Sequence, residues 1–161
     1  MKTILLFALL SGVISGYAQS SYYNRVFEAR YMERPPVFAM GKDSLKRYYF
    51  NHFSAFDTVI SKAVANGDTA KYLRIYFSFN VDESGFVYDP KFERVASTRS
   101  AVTESAKTIR YFNEIKDVLQ QAVSSMLLKI SGWRPGVENG QPVKTVNYDY
   151  VQFWVGLSAP Q

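Results

Sequence analysis

The sequence predicts an α+β domain built on a small antiparallel three-stranded sheet, strand order 2-1-3, with helices packed on one face. Two patterns and one absence predict it. Tyr72 to Val81 alternates strictly, with Leu73, Ile75, Phe77, Phe79 and Val81 on one side, which is the period of a half-buried strand. Tyr111 to Ile130 instead places Ile115, Val118, Leu119, Ala122, Val123, Met126, Leu127 and Ile130 at helical spacing. The chain has no cysteine, so packing rather than disulfides must carry its stability.

The elements follow in order. Lys2, the apolar run Ile4 to about Ile14 and the small-residue end Gly16-Tyr17-Ala18 predict a secretory signal peptide over residues 1–18. An uncut membrane anchor competes with that reading, but a spanning helix needs about 20 apolar residues and this run is roughly half as long. Cleavage after Ala18 would leave 143 residues (161 minus 18), the length of one domain. Residues 19–36 form a polar, aromatic lead-in ending in Pro35-Pro36, which resists both helix and central strand. A single domain would then occupy residues 37–157, and within it Lys42 to Phe50 and Asp57 to Ala65 show helical spacing. Asp82 to Gly85 predicts a hairpin turn, and Phe86 to Val95 the return strand, with Pro90 confining that strand to an edge. Ser97 to Thr108 is small and polar, a loop or weakly helical insertion. After the long helix, Trp133, Pro135-Gly136, Asn139-Gly140 and Pro142 form a corner that reverses the chain. Val143 to Val155 is the third strand, with Val151, Phe153 and Val155 facing in.

Composition narrows the chemistry. The formal charge of +5 becomes +4 without Lys2 (5 minus 1), and both signs are interspersed, so no basic patch for nucleic acid is predicted. With no cysteine and only His52, thiol and histidine-rich metal sites are not predicted, and a triad would rest on one histidine in the aromatic stretch Phe50 to Phe56. Asp82, Glu83 and Asp89 cluster near a turn, where acidic residues serve the backbone. No glycine-rich phosphate loop follows a strand. The reading is therefore non-catalytic, with no cofactor and no metal. Aromatic residues make up 16% of the chain, and Tyr22-Tyr23, Tyr48-Tyr49 and Tyr148-Asp149-Tyr150 suit either ligand stacking or cross-strand pairing, of which pairing is the simpler. Trp133 divides likewise between capping the core and touching a ligand, with capping favoured by the area an indole buries.

Several segments resemble the C-terminal domain of TonB energy transducers, in its Bacteroidota-type form. These are Pro36-Val37-Phe38, Gly41 and Leu45-Lys46-Arg47-Tyr48, then Phe77 to Asp89, then Trp133-Arg134-Pro135-Gly136 with Gly140-Gln141-Pro142-Val143. They span about Pro35 to Val155. Met40 stands where that family usually has glycine, the segment from Val95 to Trp133 is longer than usual, and no spanning helix or proline-rich spacer accompanies the domain. The resemblance implies a stand-alone exported or periplasmic module whose third strand receives a short segment of an outer-membrane transporter. From the residues themselves, a free sheet edge can take an extended protein or peptide partner by strand addition, through Val143, Thr145, Asn147, Tyr148, Asp149, Tyr150 and Val151. The alternatives are a homodimer through the same edge and, less favoured, an envelope hydrolase.

Overall fold

A computed structural model describes residues 25–65, 72–97 and 112–154. In chain order the elements are β1 (Phe27–Glu28), a 3-10 turn (Ala29–Tyr31), β2 (Val37–Phe38), α1 (Lys42–His52), α2 (Phe56–Ala65) and β3 (Tyr72–Val81). They continue with β4 (Val87–Ser97), α3 (Lys116–Leu127), β5 (Trp133–Arg134), β6 (Gly136–Glu138), β7 (Gln141–Val143) and β8 (Thr145–Trp154). The fold is α+β. The expected signal peptide, most of the 97–108 insertion and Val155 lie outside the described residues.

The main sheet has four strands, in the order β1-β8-β3-β4, which corrects the expected three. β8, β3 and β4 are antiparallel to one another, in the predicted order. The fourth strand comes from the lead-in: β1 pairs parallel to β8, with Phe27 opposite Thr145 and Glu28 opposite Val146. Two residues show no periodicity, so nothing in the pattern announces them. The remainder of the lead-in is also tied down, because Arg34 and Val137 exchange backbone hydrogen bonds of 3.2 and 2.8 Å and β2 pairs antiparallel with β5.

Alternation on β3 decides where the core lies. Leu73, Ile75, Phe77, Phe79 and Val81 are buried and pack with Leu45 and Tyr49 of α1, Val59 and Ala63 of α2, and Leu119, Val123 and Met126 of α3. Ring contacts define the seam: Tyr49 meets Phe77 edge-on at 5.1 Å and Phe56 meets Phe153 at 4.8 Å. α3 is shorter than the predicted helix and leaves Val118 exposed, outside the apolar stripe it was expected to join. The opposite face of the sheet carries cross-strand pairs, Tyr72 with Trp154 at 3.9 Å and Tyr76 with Tyr150 at 5.5 Å.

The corner is more structured than a bend. Gly136 to Val143 forms a second small hairpin, β6 with β7, in which Gly136 pairs with Val143 and Val137 with Pro142. Its two-residue turn is Asn139-Gly140, both at positive φ (50° and 74°), the conformation whose twist suits a tight hairpin and which asparagine and glycine tolerate. Val143 thus ends β7 instead of opening the long strand. Trp133 sits in β5 with its ring against Phe38 (5.7 Å) and Phe79 (5.3 Å), partly buried over the end of the core. The β3–β4 turn leans on the same corner: a Cβ at Gly85, whose φ is +87°, would lie 2.2 Å from the Trp133 carbonyl oxygen. Pro135 lies alongside, so the turn and the corner form one tight contact. Indole Nε1 is buried without a partner among the described residues, so the ring contributes through packing rather than through a hydrogen bond.

Trp133→Ala should therefore destabilise the fold by about 3 kcal/mol, the low end for a large core aromatic because the ring is only partly buried. Chemical denaturation measures this. A loss below about 1 kcal/mol, typical of surface positions, would mean that the indole does not cap the core.

Candidate functional site

A sheet with two edges offers two places for strand addition, and the two differ in how they are occupied. At β4, Pro90 does sit on the edge, yet the closure comes from α3. The Gln120 side-chain amide accepts the Phe92 N–H (2.9 Å) and donates to the Pro90 carbonyl (2.8 Å). One side chain thus stands in for the peptide group of a neighbouring strand. Its orientation is unambiguous, because an N–H can only donate and a carbonyl only accept, and Ser124 Oγ holds the amide from one turn onward at 3.0 Å.

At β8 the geometry shows which residues face outward. The Phe27 N–H donates to the Lys144 carbonyl at 2.8 Å, so backbone groups at even positions point toward β1 and those at odd positions toward β3. Side chains at Thr145, Asn147, Val151 and Phe153 point into the core and are buried, whereas Tyr148 and Trp154 lie on the solvent face and are 65% and 61% exposed. Backbone groups of this strand that face away from β3 therefore belong to Val146, beside β1, and to Tyr148, Tyr150 and Gln152.

Of the residues expected to form the binding edge, the structure brings some together and separates others. Val143 is buried in the small hairpin. Thr145 and Asn147 bond to each other (3.2 Å), and Thr145 Oγ1 reaches the Val81 carbonyl (3.4 Å), so both serve the inner face. Val151 is a core residue opposite Ile75. Tyr148 is left exposed on the edge, within electrostatic reach of Arg30 and Lys91. Tyr150 is engaged: its N–H donates to Asp149 Oδ1 (2.9 Å) and its carbonyl accepts Lys46 Nζ (3.0 Å). Lys46 was not among the expected site residues. It reaches from α1, forms an ion pair with Asp149, and lies 4.0 Å from the centre of the Tyr150 ring.

The edge therefore reads as an interval. On one side of it, a recess of about 470 Å³ is lined by Glu28, Arg30, Asn147 and Tyr148. On the other, a recess of about 330 Å³ is lined by Lys42, Lys46, Phe50, Tyr150 and Gln152. Beneath them Tyr49 is fully buried, and its hydroxyl has no hydrogen-bond partner among the described residues. Burial first, and the nearby Asp149 carboxylate second, push this phenol far above its ordinary pKa, so it stays neutral.

The acidic candidates near the turn have backbone or ion-pair work. Asp82 accepts the Ser84 and Phe86 N–H groups (2.9 and 2.8 Å), and Asp89 pairs with Lys91 at 2.8 Å. His52 stacks on Tyr48 at 4.0 Å, with Nδ1 2.8 Å from the Tyr48 carbonyl oxygen. Among the described residues no helix is long and apolar enough to cross a membrane.

Gln120→Leu should cost about 1 to 3 kcal/mol, since it strips partners from two part-buried backbone groups at once. Gln120→Glu, which keeps an acceptor for Phe92 but loses the donor to Pro90, should fall between that variant and wild type in thermal denaturation. Equal stability of all three would show that the β4 edge is closed by something other than this amide. No protein-family model, curated protein or solved structure matches the chain.

Proposed function

We propose that this chain is a non-catalytic, exported binding module that takes an extended segment of a protein partner along the outer edge of β8. The observation that supports it is β1. A two-residue piece of the chain's own lead-in already pairs with that edge in parallel, opposite Thr145 and Val146, which supports the reading that the edge takes an added strand. Past Glu28 the lead-in leaves extended pairing in the 3-10 turn at Ala29–Tyr31, which still lies against β8, and the edge continues to Trp154 with no further strand beside it among the described residues. At the other edge, Gln120 already occupies the Pro90 and Phe92 backbone groups. Main-chain pairing demands little of the partner's sequence; the two flanking recesses would supply the selectivity. The resemblance to TonB C-terminal domains adds periplasmic location and a segment of an outer-membrane transporter as the partner. A second copy of this chain offers the same edge, and a homodimer is the competing occupant.

Proline substitutions separate the cases, because the outward parity is now defined. Tyr148→Pro removes an outward N–H and should leave the domain folded while abolishing binding of a fluorescent copy of the short outer-membrane transporter segment named above (the transporter-box peptide), read by anisotropy. Asp149→Pro removes an inward N–H from the ladder with β3 and should unfold the domain, read by circular dichroism. Sedimentation of wild type and Tyr148→Pro without peptide reads the homodimer. If folded Tyr148→Pro binds peptide as wild type does, strand addition at β8 is wrong.

A further inference from the structure

The edge of β8 is interrupted at one residue by two side chains from within the chain, and the interruption has the form of a strand. Tyr150 points its N–H and carbonyl outward. Asp149 Oδ1 accepts the first at 2.9 Å, and Lys46 Nζ donates to the second at 3.0 Å. An acceptor for the N–H and a donor for the carbonyl are what an added strand would bring to the same residue. The two side chains also pair with each other, and both are mostly shielded, with 30% of Lys46 and 23% of Asp149 exposed. Shielded, charge-assisted contacts of this kind are stronger than those on an open surface. Nor is Lys46 free to drift, for Leu45 and Tyr49 on either side of it anchor α1 in the core.

We infer that Lys46 and Asp149 form an autoinhibitory clasp that holds the β8 edge shut at Tyr150, and that an incoming strand must open it to extend from Tyr148 to Gln152. This rests on the strand-addition reading above. Without release of the clasp, the interval between β1 and Tyr150 exposes one outward residue, Tyr148, which is too short a ladder for a specific strand. With release, three outward residues in register, Tyr148, Tyr150 and Gln152, become available. Opening also uncovers the Tyr150 ring, against which the ammonium is held at 4.0 Å. The clasp therefore sets an energetic threshold that a weak or chance strand does not cross, and it shields the edge from indiscriminate pairing.

Two readouts on the full chain test this, one of them needing no ligand. In native-state amide exchange, the Tyr150 N–H should exchange more slowly than the Tyr148 N–H in wild type. Lys46→Met, which keeps the aliphatic stem and removes the charge, should release Asp149 and bring the two rates together, while Lys46→Arg should preserve the difference. In anisotropy with the transporter-box peptide, Lys46→Met should bind about tenfold more tightly than wild type, and Lys46→Arg should bind as wild type does. Unchanged exchange at Tyr150 and unchanged affinity in Lys46→Met overturn the clasp, and if Tyr148→Pro still abolishes binding, strand addition survives that failure. Binding by no variant, or binding indifferent to Tyr148→Pro, overturns the strand-addition reading and the gating role with it.

Discussion

Everything in this fold hangs on the two-sided pairing of β3. All ten residues of Tyr72–Val81 are laddered to β8 and eight of them also to β4, and the inner row from Leu73 to Val81 is buried to 1% exposure or less. That row is the floor on which all three helices rest. Its continuity fixes the register of its neighbours, since a slip of one residue would turn five large apolar side chains to water and bring the arginine and tyrosines of the other face into the core. The β3–β4 turn and the tryptophan corner then close one end of the same floor, with Phe79 as the shared contact of Trp133 and the strand.

A central strand satisfied on both sides transfers the edge problem to its neighbours. β4 and β8 each have one row of backbone groups with no strand beside them for most of their length, and unpaired rows invite pairing with other chains. The chain meets this with side chains from helices: Gln120 of α3 against Pro90 and Phe92, Lys46 of α1 against Tyr150. The two solutions differ chemically. A neutral amide, bonded at both ends and held by Ser124, forms a fixed closure, whereas an ion pair at a partly exposed margin is sensitive to competing charges and to salt. Of the two edges, β8 is therefore the less firmly closed.

Much of the fold was legible because period alone reports it. β3 has the predicted ends, seven of the eight apolar positions of the predicted helical stripe lie in the core or against it, and the two short helices fall within two residues of expectation. Legibility failed where a structural role needs few residues or none of a particular pattern. β1 is two residues long, and β6 and β7 are three each, below the length at which alternation can be recognised. The small hairpin could have been read from Asn139-Gly140, a turn pair whose meaning in a tight hairpin is specific, but the flanking runs are too short to announce strands. For the candidate site, sequence placed Tyr148 and Tyr150 on the solvent face of an edge strand, and alternation could say no more. Which of two alternating rows of backbone groups faces out depends on the partner strand, and only the Phe27 contact with Lys144 resolves it.

Lys46 and Gln120 were invisible for a different reason: each looks like an ordinary polar residue on a helix, and its role arises only when the helix is laid beside a strand more than twenty residues away in sequence. Asp149 gives the one local signal. Its register partner across the ladder is Phe77, so its carboxylate starts on the apolar face of the sheet, where an ionised group is costly without a partner. A charge that points inward on an edge strand is a recognised obstacle to edge-to-edge pairing, and here it also recruits the lysine that covers the neighbouring carbonyl. The cost is contained because Asp149 lies at the margin of the core, where Lys46 can reach it from α1, and because the phenol of Tyr49 beside it stays neutral. The same carboxylate thus protects the edge when the clasp is closed and, once Lys46 withdraws, becomes an under-compensated charge that favours closing again. A strand that is to stay bound at β8 has to outweigh that restoring tendency through its own hydrogen bonds, which links the selectivity of the edge to the burial of a single aspartate.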